Sequence, residues 1–219
     1  AYCYYGRGCD SKAMFSELEI GKSAEFQWHL NQYDVIHLDI QWCLEPAGGA
    51  KRVLAYIAEQ TIKELREYYP QELPETIASL PESLSRINAA TGKKFIVIID
   101  EWDVLIRDEA ADKQIQEEYI NFLRGLFKGT EPTKYIQLAY LTGILPIKKV
   151  KTQLSPLIIL MSLPCWIAKI FADYIGFTES EVSELCQKYG VDFDEVKHWY
   201  DGYLLRGTQF IIRKQLWRS

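Results

Sequence analysis

The stretch Lys93-Lys94-Phe95-Ile96-Val97-Ile98-Ile99-Asp100-Glu101-Trp102-Asp103 narrows most what this chain can fold into. Consecutive apolar residues from Phe95 to Ile99, mostly β-branched, describe a strand covered on both faces, as in a parallel sheet flanked by helices. Two carboxylates follow at its C-terminal edge, where the loops of an open α/β sheet form the ligand crevice. There Asp100 is suited to orient a divalent cation and its water shell, and Glu101 to polarise an attacking water.

The flanking sequence supplies partners for such a strand. Tyr33 to Ile40 reads as a second strand, apolar at Val35, Ile36, Leu38 and Ile40, with Asp39 near its end. His37 within it has no second His or Cys at ligand spacing and reads as an ordinary strand residue. Ala50 to Tyr69 repeats apolar residues at helical spacing (Val53, Leu54, Ile57, Ile62, Leu65) until Pro70 ends it. Pro74 to Ala90 repeats the pattern with Ile77, Leu80, Leu84 and Ile87, closed by Thr91-Gly92. After Asp103, Gln114 to Lys128 is amphipathic, and Gly129 and Pro132 break it. Tyr135 to Thr142 is a third strand, ending in a small polar residue. Strands alternating with helices imply an α/β fold with right-handed crossovers.

Composition excludes several function classes. A length of 219 residues with 48% hydrophobic content can bury one core plus a small appendage. A net charge of −5 leaves no electrostatic footprint for nucleic acid, and Lys148-Lys149-Val150-Lys151 reads as a solvated loop. The five cysteines are odd in number and form no CxxC pair, which predicts reduced thiols in a cytoplasmic protein. The apolar segment Leu154 to Ile167 lies in a charge-free run shorter than the about twenty residues of a membrane span. Gly21-Lys22-Ser23 resembles the end of a phosphate-binding loop, but Ser16 stands where the motif needs its first Gly. A surface loop is the expected reading.

An apolar strand ending in Asp-Glu is also the Walker B pattern of P-loop NTPases. The chain resembles the AAA-ATPase-like proteins of anaerobic gut and related bacteria, which usually pair a P-loop ATPase domain with a C-terminal PD-(D/E)XK nuclease-like domain. The matching residues are Cys9-Asp10-Ser11, Tyr33-Asp34-Val35-Ile36, Ile98-Ile99-Asp100-Glu101-Trp102-Asp103, Leu141-Thr142-Gly143-Ile144, Tyr174-Ile175-Gly176-Phe177-Thr178-Glu179 and Trp199-Tyr200-Asp201-Gly202-Tyr203. The resemblance implies a P-loop NTPase-like parallel sheet in residues 1–153, with a Walker B strand at 95–99 and a sensor-like strand at 135–142. It implies a small helical, lid-like subdomain at 171–206, opened by a helix capped at Thr178 with Glu181. For the full-length parent it implies ATP binding and Mg-dependent hydrolysis, with Asp100 serving the metal, Glu101 the water, and Thr142 the γ-phosphate or the water. The phosphate loop is expected upstream of Ala1 and the nuclease-like domain beyond Ser219. On that reading the chain is a truncated fragment without its own hydrolysis, with no support for nuclease chemistry. The alternative is a non-enzymatic interaction or regulatory module on a degenerate NTPase fold.

Two segments, 154–170 and 207–219, depart from the resemblance, and the genetic code offers one cause for both. If the last base of each codon is joined to the first two of the next, Cys165-Trp166-Ile167 must read Leu-Asp. With permitted codons, Ser155 to Ile167 becomes Ala-Leu-Asn-Asn-Phe-Asp-Glu-Phe-Thr-Met-Leu-Asp, and Gly207 to Arg218 becomes Tyr-Ala-Ile-Tyr-Asn-Pro-Lys-Ala-Val-Val-Glu. Both resemble the family's text, so both segments are expected to be frameshifted translations. Sequencing the coding DNA checks this: the shifted frame should encode those strings, and any other reading there defeats the idea.

Overall fold

The apolar run at Phe95–Ile99 is buried along its whole length in the computed structural model, and the sheet grows from both of its edges. The structure describes residues 1–107, 113–144 and 177–199, together with the strands Tyr203–Leu205 and Thr208–Ile211. In chain order the first elements are α1 (Tyr2–Tyr5), α2 (Lys12–Ser16), a 3₁₀ turn at Glu19–Lys22, α3 (Phe26–His29), β1 (Asp34–Asp39), α4 (Ile40–Ala47), α5 (Ala50–Tyr68) and α6 (Leu80–Thr91). Next come β2 (Phe95–Asp100), α7 (Val104–Arg107), α8 (Lys113–Phe127), α9 (Pro132–Tyr135) and β3 (Ile136–Leu141). The remainder is β4 (Phe177–Thr178), α10 (Glu179–Tyr189), α11 (Phe193–Trp199), β5 (Tyr203–Leu205) and β6 (Thr208–Ile211).

The sheet runs β1-β2-β3, all parallel, with the carboxylate strand in the middle. Its register sets Asp39 beside Asp100 and Ile99 beside Leu141, so three strand ends meet at one edge. One face packs Ile36, Leu38, Phe95, Val97 and Ile99 into a core with Val53 and Ile57 of α5, Leu84 and Ile87 of α6, and Tyr119 and Leu123 of α8. Apolar residues recurring every three or four positions put these side chains on one stripe of each helix. A second, smaller cluster of Tyr4, Phe26 and Leu30 holds the N-terminal turns together. Asn31 clips those turns to β1: in a left-handed conformation (φ 56°), its amide donates to the Cys3 and Gly6 carbonyls.

The second helix starts later than its apolar spacing predicts, at Leu80 rather than Pro74. Arg66 of α5 explains the difference, because its guanidinium donates to the carbonyls of Glu75 and Ile77 and stabilises an irregular chain there. Leu73 and Ile77 are still buried, so the apolar signal was real and only the backbone differs. Pro81 then sits in the first turn of α6, the helical position where a missing N–H costs nothing.

The chain divides into two compact units, Ala1–Leu160 and Met161–Ser219. In the second, Thr178 and Glu181 form the expected reciprocal capping box at the start of α10. That unit is not helical throughout: β4, β6 and β5 form an antiparallel sheet in that order, with β6 inside the segment read as a shifted tail. Strands of two to four residues carry too few positions to show a period of two. Residues 154–170 and the basic run 148–151 lie outside the described residues. Among the described residues no helix is long and apolar enough to cross a membrane.

The core places a strong demand on α6. Leu84 is fully buried against the sheet, so Leu84→Ala is expected to destabilise the fold by about 2–5 kcal/mol in urea unfolding. Trp28→Ala, at a side chain 67% exposed, is expected to stay within about 0.5 kcal/mol of the parent.

Candidate active site

Hydrogen bonds between β2 and β3 continue past the strands themselves. Thr142 N–H donates to the Ile99 carbonyl and Trp102 N–H to the Thr142 carbonyl, both at 2.9 Å. This places the Thr142 hydroxyl against Asp100, to whose Oδ1 it donates. The backbone N–H of Glu101 reaches the same oxygen at 3.1 Å. Asp100 is exposed at the strand end, and its Oδ2 accepts no hydrogen bond from the described residues. On the neighbouring strand, Asp39 is occupied differently, accepting from Trp42 N–H at 2.8 Å as the N-cap of α4.

Glu101 turns the chain sharply. Its φ of 50° is left-handed, a conformation that costs a residue with a Cβ about 1 kcal/mol. From there its carboxylate lies 2.5 Å from Arg107 Nη2, while Arg107 Nε donates to Asp103 at 2.8 Å. Asp103 is wholly buried, and the oxygen that Arg107 contacts also accepts from Ile144 N–H at 3.2 Å. Tyr119 holds the turn from beneath by donating to the Trp102 carbonyl. Burial, with the Asp103 carboxylate nearby, pushes the Tyr119 phenol far up, so it stays a donor. Gly143 lies directly over this turn: a Cβ there would come within 2.5 Å of Asp103 Oδ1 and 2.6 Å of the Trp102 ring. Only glycine fits.

Asp100, Glu101 and Thr142 thus stand together, as their order in the chain predicts. Asp100 Oδ2 beside a threonine hydroxyl offers hard oxygen donors of the kind Mg²⁺ takes, one or two carboxylates with water completing the shell. Among the described residues there is no cluster of three or more His, Cys, Asp or Glu able to hold a metal unaided. Gly21-Lys22-Ser23 has no part in this edge. Gly21 is pressed against the backbone of Phe15 and Ser16, and Lys22 pairs with Glu19 at the surface. A cleft of about 220 Å³ lies along β1 and α5 instead, and Asp100, Glu101 and Thr142 do not line it.

Sequence reasoning missed Arg107, Asp103 and Gly143 as parts of the site. The signal available was the four-residue spacing of Asp103 and Arg107, which places them on one face of a helical turn. Removing the Asp103 carboxylate takes the acceptor from Arg107 Nε and from Ile144 N–H, while Arg107, 30% exposed, keeps its ion pair with Glu101. Asp103→Ala is accordingly expected to cost about 1–3 kcal/mol in urea unfolding, above the change for an exposed carboxylate such as Glu82.

Comparison with known proteins bears on the family of the chain. The chain is 28% identical over 132 residues to "Uncharacterized protein in vnfD 5'region" from Azotobacter chroococcum mcd 1, covering 59% of this chain and 25% of that protein. The chain therefore spans about a quarter of the length of that relative. No solved structure matches it. The family described as predicted AAA-ATPase matches residues 2–153, which include the whole parallel sheet and every residue of the candidate site. The chain belongs to that predicted AAA-ATPase family.

Proposed function

We propose that this chain carries the metal-and-water half of an ATP-hydrolysing site. The observation that supports it best is the bond from the Thr142 hydroxyl to Asp100, which joins the ends of two adjacent parallel strands at the ligand-binding edge. In this reading Asp100 holds the water shell of Mg²⁺ through Oδ2. Glu101 accepts a proton from the attacking water, and Thr142 orients that water or the γ-phosphate. Bound Mg²⁺ would neutralise charge on the phosphates and orient them.

The phosphate-gripping half is assigned to sequence outside these residues. Gripping phosphate takes successive backbone N–H groups at a Gly-rich turn leading into a helix, and the described residues carry no such turn at this edge. Among the described residues β3 has a partner on one side only, so its outer edge is open to a further strand beside Thr142. A phosphate-binding strand paired there would deliver its loop to Asp100 and Glu101.

Nucleotide titration of this chain, and of the same chain extended by its upstream coding sequence, tests the reading. The chain alone should bind Mg-ATP only weakly, with Kd above about 1 mM, and the extended chain at least about tenfold more tightly. In the extended chain Glu101→Gln should lower kcat by about 100-fold or more while nucleotide binding persists, as loss of a general base does. Tight binding by the chain alone would refute the division into halves. Absence of binding by both would leave the interaction-module reading in its place.

A further inference from the structure

We propose that Arg107 is the positioning residue for Glu101, and that through Asp103 it ties the Glu101 carboxylate to the strand end that carries Thr142. This rests on the reading of Glu101 as the residue that activates water. Nothing in the apolar periodicity or the Asp-Glu pattern assigns a role to Arg107.

The argument is geometric. Nε and Nη2 lie along one edge of a guanidinium, the edge that commonly grips a single carboxylate with two parallel bonds. Here that edge is shared: Nε is 2.8 Å from Asp103 Oδ2, and Nη2 is 2.5 Å from Glu101 Oε2. The two carboxylates are not equivalent. Asp103 has no exposure and is held also by Ile144 N–H, whereas the Glu101 side chain is 42% exposed. The buried partner therefore fixes the guanidinium, and the guanidinium fixes the exposed one. Because the fork is rigid, Glu101 cannot swing without breaking its bond to Arg107, and Oε1 accepts no hydrogen bond from the described residues.

The same Asp103 oxygen receives the N–H of Ile144, two residues beyond Thr142. A shift of the Thr142-Gly143-Ile144 segment, such as a phosphate at Thr142 would impose, pulls on the group that orients Arg107. Gly143 transmits that shift tightly, since a Cβ there would already clash with Trp102 and Asp103. Sensing at Thr142 and activation at Glu101 are thereby linked through one buried carboxylate.

Lysine keeps the charge of Arg107 and loses the fork, so Arg107→Lys is the decisive variant. In the complete gene product, ATP turnover is measured for the parent, R107K, E101Q and the double variant, with urea unfolding alongside. R107K should lower kcat about tenfold or more with KM for ATP within about twofold, since Arg107 is assigned to Glu101 and not to nucleotide. In the E101Q background the same change should have no further effect on kcat, because two residues acting as one unit are not additive. An equal loss in both backgrounds, or a raised KM, overturns the proposal in favour of a structural or nucleotide-binding role. If R107K fails to fold, R107Q, which keeps a donor for Asp103, carries the same comparison. A parent without turnover defeats the reading of the whole site and this role with it. A parent that turns over while R107K matches it defeats only the role of Arg107.

Discussion

A main chain buried on both faces must find its hydrogen bonds sideways, and β2 is such a chain. Leaving one of its N–H or C=O groups unpaired would cost about 1–3 kcal/mol, so neighbours are required on both edges. β1 and β3 meet that demand in parallel, and pairing in parallel brings all three C-terminal ends to one side. Chemistry at Asp100 depends on this. Without β3 in register, Thr142 would not reach the carboxylate, and Trp102 would lose the acceptor that anchors the turn.

Beyond the sheet, the edge is held by charge. Asp103 is buried where a carboxylate is tolerated only with hydrogen-bond donors around it, and a guanidinium and a backbone N–H both donate to its Oδ2. The pair adds little to net stability compared with an apolar substitute of the same shape, because desolvation offsets most of the attraction. Its contribution is to direction: α7 can leave the sheet in one orientation only, with Trp102 buried beneath and Gly143 above.

What could be read in the sequence followed from how local each signal is. β2 is announced by residues adjacent to one another, and Asp100 and Thr142 by their place at the ends of such runs. Arg107 was silent because its partners are set by a left-handed turn at Glu101, a backbone choice that no apolar pattern encodes. Likewise, the late start of α6 was hidden because Arg66, on another helix, supplies the donors that keep residues 74–79 irregular. The strands of the C-terminal unit escaped for a plainer reason, since each is too short to display a period. The capping box at Thr178 was visible because its four residues act on one another alone.

The left-handed backbone at Glu101 has a consequence for how this edge can change over time. Glycine would sit there without strain, but it would lose more backbone entropy on folding and would give up the ion pair to Arg107, so the gain and the losses are of similar size. Stability therefore neither holds the glutamate at 101 nor drives it out. In a lineage that exchanged it for glycine the scaffold would outlive its chemistry, and the melting temperature would give little sign of that loss.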